Sequence, residues 1–208
     1  MYAYIWLSLN DWQIIEVERQ LWYNLSLKEG VIMTYEYAVY YKLLLLCGYK
    51  EELQQYIDNA LVDEDPLSDI VLELSTAGSD DKRMLSVLNE YLRQVKEADI
   101  DYDVTVFDYV MSFLKRRYVE DAMPMKDITE LMYRLAVHTE RYWDEPWHTM
   151  YFLGDRFDEA KAGYIDKEDY QRKFEAFIND GICLCDYPAI QPKDSLFKRL
   201  MKRIRGNH

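Results

Sequence analysis

Residues 65–95 read DPLSDIVLELSTAGSDDKRMLSVLNEYLRQV, and this stretch spells out two helices. Asp65-Pro66 is a start signal, with an acid at the cap and a proline whose fixed φ suits the first turn. Ala77-Gly78 is a stop, because glycine accepts the left-handed backbone that commonly follows a helix. Ser79 then caps a second helix, in which Leu85, Leu88, Tyr91, Leu92 and Val95 recur at helical spacing and are expected to face inward.

The same period continues on both sides. Upstream, Ile14, Val17, Leu21 and Leu25 mark a helix from about Asn10 to Leu27. Thr34 caps another with Tyr37, Tyr41, Leu44 and Leu45, which stops at Gly48, and a third carries Leu53, Tyr56, Ile57, Ala60 and Leu61. Downstream, Asp103 opens a helix with Phe107, Val110, Met111 and Leu114, and Pro124 opens one with Ile128, Leu131, Met132 and Leu135. Glu145-Pro146-Trp147 starts a further helix with Met150 and Tyr151, Tyr170 to Ile178 forms the next, and Pro192 begins the last. No stretch alternates apolar and polar residues as a strand would, and no fixed repeat recurs. The expected fold is all-α, an irregular multi-helix bundle of roughly ten helices or stacked helical hairpins. It is expected to form a single helical domain over 1–208. The acid-crowded segment KEADIDYD at 96–103, where apolar periodicity lapses, is the candidate boundary between 1–98 and 103–208.

Composition narrows the partners. Thirty-eight acidic and 25 basic side chains give a net charge of −13, and the imbalance is uneven. Residues 193–208 hold six basic side chains and one acid, which leaves 19 basic and 37 acidic on the first 192. Nucleic acid suits such a surface poorly, because affinity for phosphates comes from replacing their counterions with Lys and Arg. The basic amphipathic stretch at 196–205 is read as docking on the acidic body rather than on a membrane. Cys47, Cys183 and Cys185 are too few for a disulfide framework and fit a reducing compartment. The start has no basic n-region and the longest apolar run could not span a bilayer, so a cytoplasmic protein with no membrane partner is expected.

Motifs for chemistry fall short one by one. Asp158 to Asp169 resembles a calcium loop, with Gly163 sixth and Ile165 eighth, but Ala160 and Ala162 occupy positions where side-chain oxygens are required. It reads instead as a helix ending at Gly163 followed by a capped helix. Cys183-Leu-Cys185 lacks the two further ligands of a zinc site. His138 and His148 have no nucleophile pattern beside them. No catalytic residue, metal or cofactor is therefore expected. What remains is an excess of aromatics, 19 Tyr and five Trp. Tyr142-Trp143-Asp144-Glu145-Pro146-Trp147 joins three large rings to two acids at a helix junction, and aromatic anchors ringed by charge are what protein interfaces use.

The helical pair from Pro66 to Leu92, the segment Glu145 to Asp155 and the acidic clusters at Asp63-Glu64-Asp65 and Asp99 to Asp103 together resemble a known class. They are similar to the small, acidic, aromatic-rich helical immunity proteins that bacteria encode against polymorphic or contact-dependent toxins. The resemblance implies a non-enzymatic protein that binds a basic partner, a cognate toxin such as a nuclease, and masks its active site. The expected interface comprises Asp63, Glu64, Asp65, Asp99, Asp101, Asp103, Tyr142, Trp143, Asp144 and Glu145. A helical adaptor or regulatory subunit binding a host protein is the alternative, and a carboxylate-dependent enzyme the third reading.

Overall fold

The computed structural model describes residues 32–95 and 102–187, with the backbone alone for Tyr102 and Asp103. All regular structure among them is α-helix: α1 (Tyr35–Leu46), α2 (Glu51–Asp63), α3 (Asp69–Ala77), α4 (Asp81–Gln94), α5 (Tyr102–Val119), α6 (Met125–Thr139), α7 (Trp147–Asp155), α8 (Phe157–Ala162) and α9 (Lys167–Asp180). The expected helices at 10–27 and after Pro192 lie outside the described residues. The chain divides into two compact units, Met1–Asp155 and Arg156–His208. The division falls between α7 and α8, and the candidate boundary at 96–103 lies inside the first unit.

In the first unit α1 is the hub. It packs against α2, α4, α5 and α6. Its sequence YEYAVYYKLLLL is apolar nearly all round, as a central helix should be. Ala38, Val39, Tyr40, Tyr41, Leu43, Leu44 and Leu45 are all buried. Its ends are fixed locally. Thr34 Oγ1 accepts from Tyr37 N at 3.3 Å. At the other end Gly48 sits at φ 82°, so its own N–H reaches Leu45 O and that of Tyr49 reaches Leu44 O. This pair closes a Schellman turn that satisfies two terminal carbonyls. Tyrosines surround the hub: the Tyr37 and Tyr109 rings stack at 4.7 Å, and Tyr41 meets Tyr56 at 5.4 Å. The Tyr91 hydroxyl of α4 donates to Met33 O, just ahead of α1. An Arg116–Glu52 ion pair links α5 to α2.

Several helix starts differ from the sequence expectation: α5 begins at Tyr102, one residue ahead of Asp103, and α9 at Lys167, three ahead of Tyr170. Asp65-Pro66 opens no helix; α3 begins at Asp69, because the Glu64 carboxylate takes the Ser68 N–H and hydroxyl and holds 64–68 as a turn. Asp80 rather than Ser79 caps α4, accepting from the N–H groups of Lys82 and Arg83. On α4 the fully buried residues are Met84 and Leu88, while Leu85, Tyr91, Leu92 and Val95 are only half-buried. Leu61, expected inward on α2, is exposed.

In the second unit, α8 ends at Gly163 with φ 79° and α9 starts at the Asp166 cap, whose carboxylate accepts from Glu168 and Asp169 N–H. The calcium-loop acids thus serve helix ends, and Asp169 pairs with Lys173 at 2.7 Å. That pair holds the Asp169 carboxyl below the usual carboxylate range. Among the described residues no helix is long and apolar enough to cross a membrane.

Candidate protein-binding face

The junction between α6 and α7 is built from residues 139–149. Thr139 Oγ1, buried in the last turn of α6, donates to Ala136 O at 2.6 Å and accepts from Arg141 N at 3.1 Å. Glu140 then turns the chain at φ 60°. Asp144 N reaches back to Arg141 O at 3.0 Å, which closes a turn with Tyr142 and Trp143 at its tip. The far side is fixed by Glu145, whose carboxylate accepts from Thr149 N at 3.1 Å and Thr149 Oγ1 at 2.7 Å. His148 Nδ1 donates to Tyr142 O at 3.2 Å and secures the tip from beneath.

This geometry separates the two tryptophans of the segment. Trp147, the first residue of α7, is fully buried and lies edge-on to Phe107 at 5.2 Å. Trp143 precedes the helix and is 74% exposed. Its ring touches Tyr142 at 4.8 Å, Tyr142 stacks on Tyr151 at 5.2 Å, and Tyr151 meets Tyr133 at 5.2 Å. Four rings from α6, the turn and α7 therefore form one continuous row. Gly154 permits it: a Cβ there would lie 2.7 Å from Thr129 O and 2.8 Å from Tyr133 N, so the two helices cross at near-backbone contact. Burial, the Tyr133 hydroxyl and the Asp155 carboxylate each push the Tyr151 hydroxyl above its ordinary range.

The expected interface residues fare differently. Tyr142 and Trp143 come together, with exposed Asp144 beside them. No described residue pairs with the Asp144 carboxylate. Glu145 is exposed but caps α7 through Thr149. At the α2–α3 junction Asp63 and Asp65 are exposed, whereas Glu64 turns inward: one oxygen holds Ser68 and the other is buried towards the Tyr56 hydroxyl, neither of these two atoms within ordinary hydrogen-bond distance of a partner among the described residues. Asp99 and Asp101 lie outside the described residues, as does the side chain of Asp103. Sequence reasoning missed Tyr133 and Tyr151 as members of the row. The available signal was Tyr133, a large ring between Met132 and Arg134 on the polar face of an amphipathic helix.

No other described cluster offers comparable chemistry. No group of three or more His, Cys, Asp or Glu among the described residues is arranged to hold a metal ion. An open groove beside α2, lined by Lys50, Glu51, Gln54, Asp58, Asn59 and Ser79, holds its Asp58 by a hydrogen bond from Gln54. No family model, curated protein or solved structure matches this chain. The α6–α7 face therefore stands on its geometry alone.

Proposed function

We propose that this chain is a non-catalytic binding protein whose partner is a basic protein, acting as an immunity protein that masks the active site of a cognate toxin such as a nuclease. One observation carries the reading. A tryptophan 74% exposed at the end of a built row of tyrosines, beside a carboxylate without a described partner, is an anchor with its counter-charge already in place. Large rings that are fixed before binding lose little freedom on contact and dominate interface energetics. The net charge of −13 draws a cationic partner in and speeds encounter, while a nucleic acid would be repelled. The exposed Asp63 and Asp65 at the α2–α3 junction add to that field. Bacterial origin and a cytoplasmic site of action belong to the same proposal.

The test is a pull-down with tagged protein from its native cell extract at low and moderate salt, with bound proteins identified by mass spectrometry. One basic, toxin-like protein at stoichiometric yield is expected. Reversing Asp63, Asp65 and Asp144 to Lys should slow association roughly tenfold or more at low salt and less at high salt. Recovery of a housekeeping complex would move the assignment to a helical adaptor. A partner whose association ignores both salt and charge reversal would remove the electrostatic model.

A further inference from the structure

Trp143 poses a chemical question that its turn does not answer. One side of the indole meets Tyr142, and three quarters of the side chain stays in water. The Thr139, Glu145 and His148 hydrogen bonds fix the turn without the indole, so nothing in the local fold requires a ring of that size there.

The surroundings decide what such a ring suits. Glu140, Asp144, Glu145 and Asp155 are all exposed in the segments that carry the row, four acids against the two arginines Arg134 and Arg141. An anion is disfavoured by that rim. A purely apolar group would bring charged carboxylates out of water with no compensation. A cation satisfies both parts, since the π-face of Trp is the best aromatic surface for one and the carboxylates supply the counter-charge. The two biological cations differ in shape. An ammonium is a compact point charge, whereas a guanidinium is flat, stacks parallel to an indole and donates two parallel hydrogen bonds to one carboxylate. Glu145 already has an oxygen engaged by Thr149, so of the two carboxylates that directly follow Trp143 it is Asp144 that has both oxygens open among the described residues.

We infer that the Trp143–Asp144 corner is an arginine-binding subsite: a guanidinium from the partner stacks on the exposed indole while Asp144 takes its paired N–H groups. This rests on the proposed protein-binding function and names the side chain that the surface receives. The row of Tyr142, Tyr151 and Tyr133 continues the platform under the chain that flanks the arginine. Asp155, whose charge acts on the Tyr151 hydroxyl, offers a second negative charge further along the row.

The experiment uses the full chain and defined probes, so it needs no knowledge of the partner. Acetylated, amidated tri-arginine, tri-lysine and tri-citrulline are titrated against wild type, Trp143→Leu and Asp144→Asn, with affinity read by calorimetry and the arginine δ-methylene followed by NMR. Citrulline keeps the shape of arginine and removes its charge. Leucine keeps an apolar side chain and the net charge, so Trp143→Leu isolates the ring. Tri-arginine is expected to bind wild type several-fold more tightly than tri-lysine, and tri-citrulline least. Trp143→Leu should weaken tri-arginine roughly three- to thirty-fold and abolish the upfield shift that ring stacking imposes on the δ-methylene. Asp144→Asn should weaken it while keeping that shift.

Equal tri-arginine affinity in wild type and Trp143→Leu overturns the inference. So does tri-lysine binding as well as tri-arginine. A neutral β-glucose tetramer that binds through Trp143 while tri-arginine does not would assign the face to carbohydrate. A molecular mass that rises with concentration and is held down by Trp143→Leu would assign it to a second copy of the chain. A pull-down that recovers the basic partner equally with Trp143→Leu leaves the binding function standing and removes the arginine subsite. An empty pull-down with Trp143-dependent tri-arginine binding does the reverse.

Discussion

Cys47 and Cys185 carry the same thiol in opposite surroundings. Cys47 closes α1 at 3% exposure, and burial pushes its thiol up to about 11, with Arg134 pulling weakly the other way. At pH 8 very little of it is thiolate, the form that reacts. Cys185 is exposed. Iodoacetamide at pH 8 is therefore expected to label Cys185 in the native protein and to reach Cys47 only after denaturant is added. Peptide mapping of the labelled chain checks this, and rapid labelling of Cys47 in the native state would contradict the packing around α1. The same contrast of surroundings limited what could be read for the tryptophans. Trp143 and Trp147 stand four apart in one aromatic stretch, a spacing that would put both on one face of a helix. The helix begins only at Trp147, so one ring enters the core and the other does not.

Elements were more legible than side-chain directions. Thr34, Gly48, Pro124 and Gly163 punctuate helices where their chemistry predicts, because a side-chain cap, a fixed φ or a left-handed glycine acts on the helix end beside it. The start of α3 was misread because the deciding bond comes from Glu64, a side chain outside the expected helix. The inward residues of α4 were partly misread because spacing shows that a helix has a face but not which edge of it meets a neighbour. Least legible was the α6–α7 crossing, since Gly154 inside a helix reads as a mild fault in isolation. Here it is the point of closest approach, and Gly154→Ala tests that. The added methyl has backbone atoms below 3 Å in its way, so α7 must shift outward. A loss of about 1–3 kcal/mol in urea unfolding is expected, which is the range for overpacked sites. It should be accompanied by a changed near-ultraviolet circular dichroism from the Tyr133–Tyr151 pair. An alanine variant as stable as wild type would mean that the helices are not held this closely.

Over the whole molecule the tyrosines set a limit at high pH. Burial is the largest influence on Tyr56, Tyr109 and Tyr170, and it pushes each hydroxyl well above the ordinary value near 10. Glu64 adds to the effect at Tyr56, and Tyr37 and Glu36 add to it at Tyr109. The folded chain thus favours the protonated phenols more than the unfolded chain does. Their contribution is complete below pH 10 and is lost as pH rises from there, because the unfolded chain releases its protons first. Melting temperature measured from pH 8 to 11.5 is expected to start level, to decline gently above about pH 9 as the unfolded chain's Cys47 ionises and to fall steeply above about pH 10, with tyrosinate absorbance at 295 nm appearing together with loss of helix. Cys47 acts in the same direction. Combining Tyr56→Phe and Tyr170→Phe should flatten the fall, and an unchanged profile would show that other groups control it. The crossing at Gly154 has its own large-scale result. Two helices whose backbones touch cannot roll past each other, so Tyr133 on α6 and Tyr151 on α7 keep one register whether or not anything lies on them. A visitor to that face meets a plate already in its final form, and the entropy of assembling the rings has been given up once, during folding.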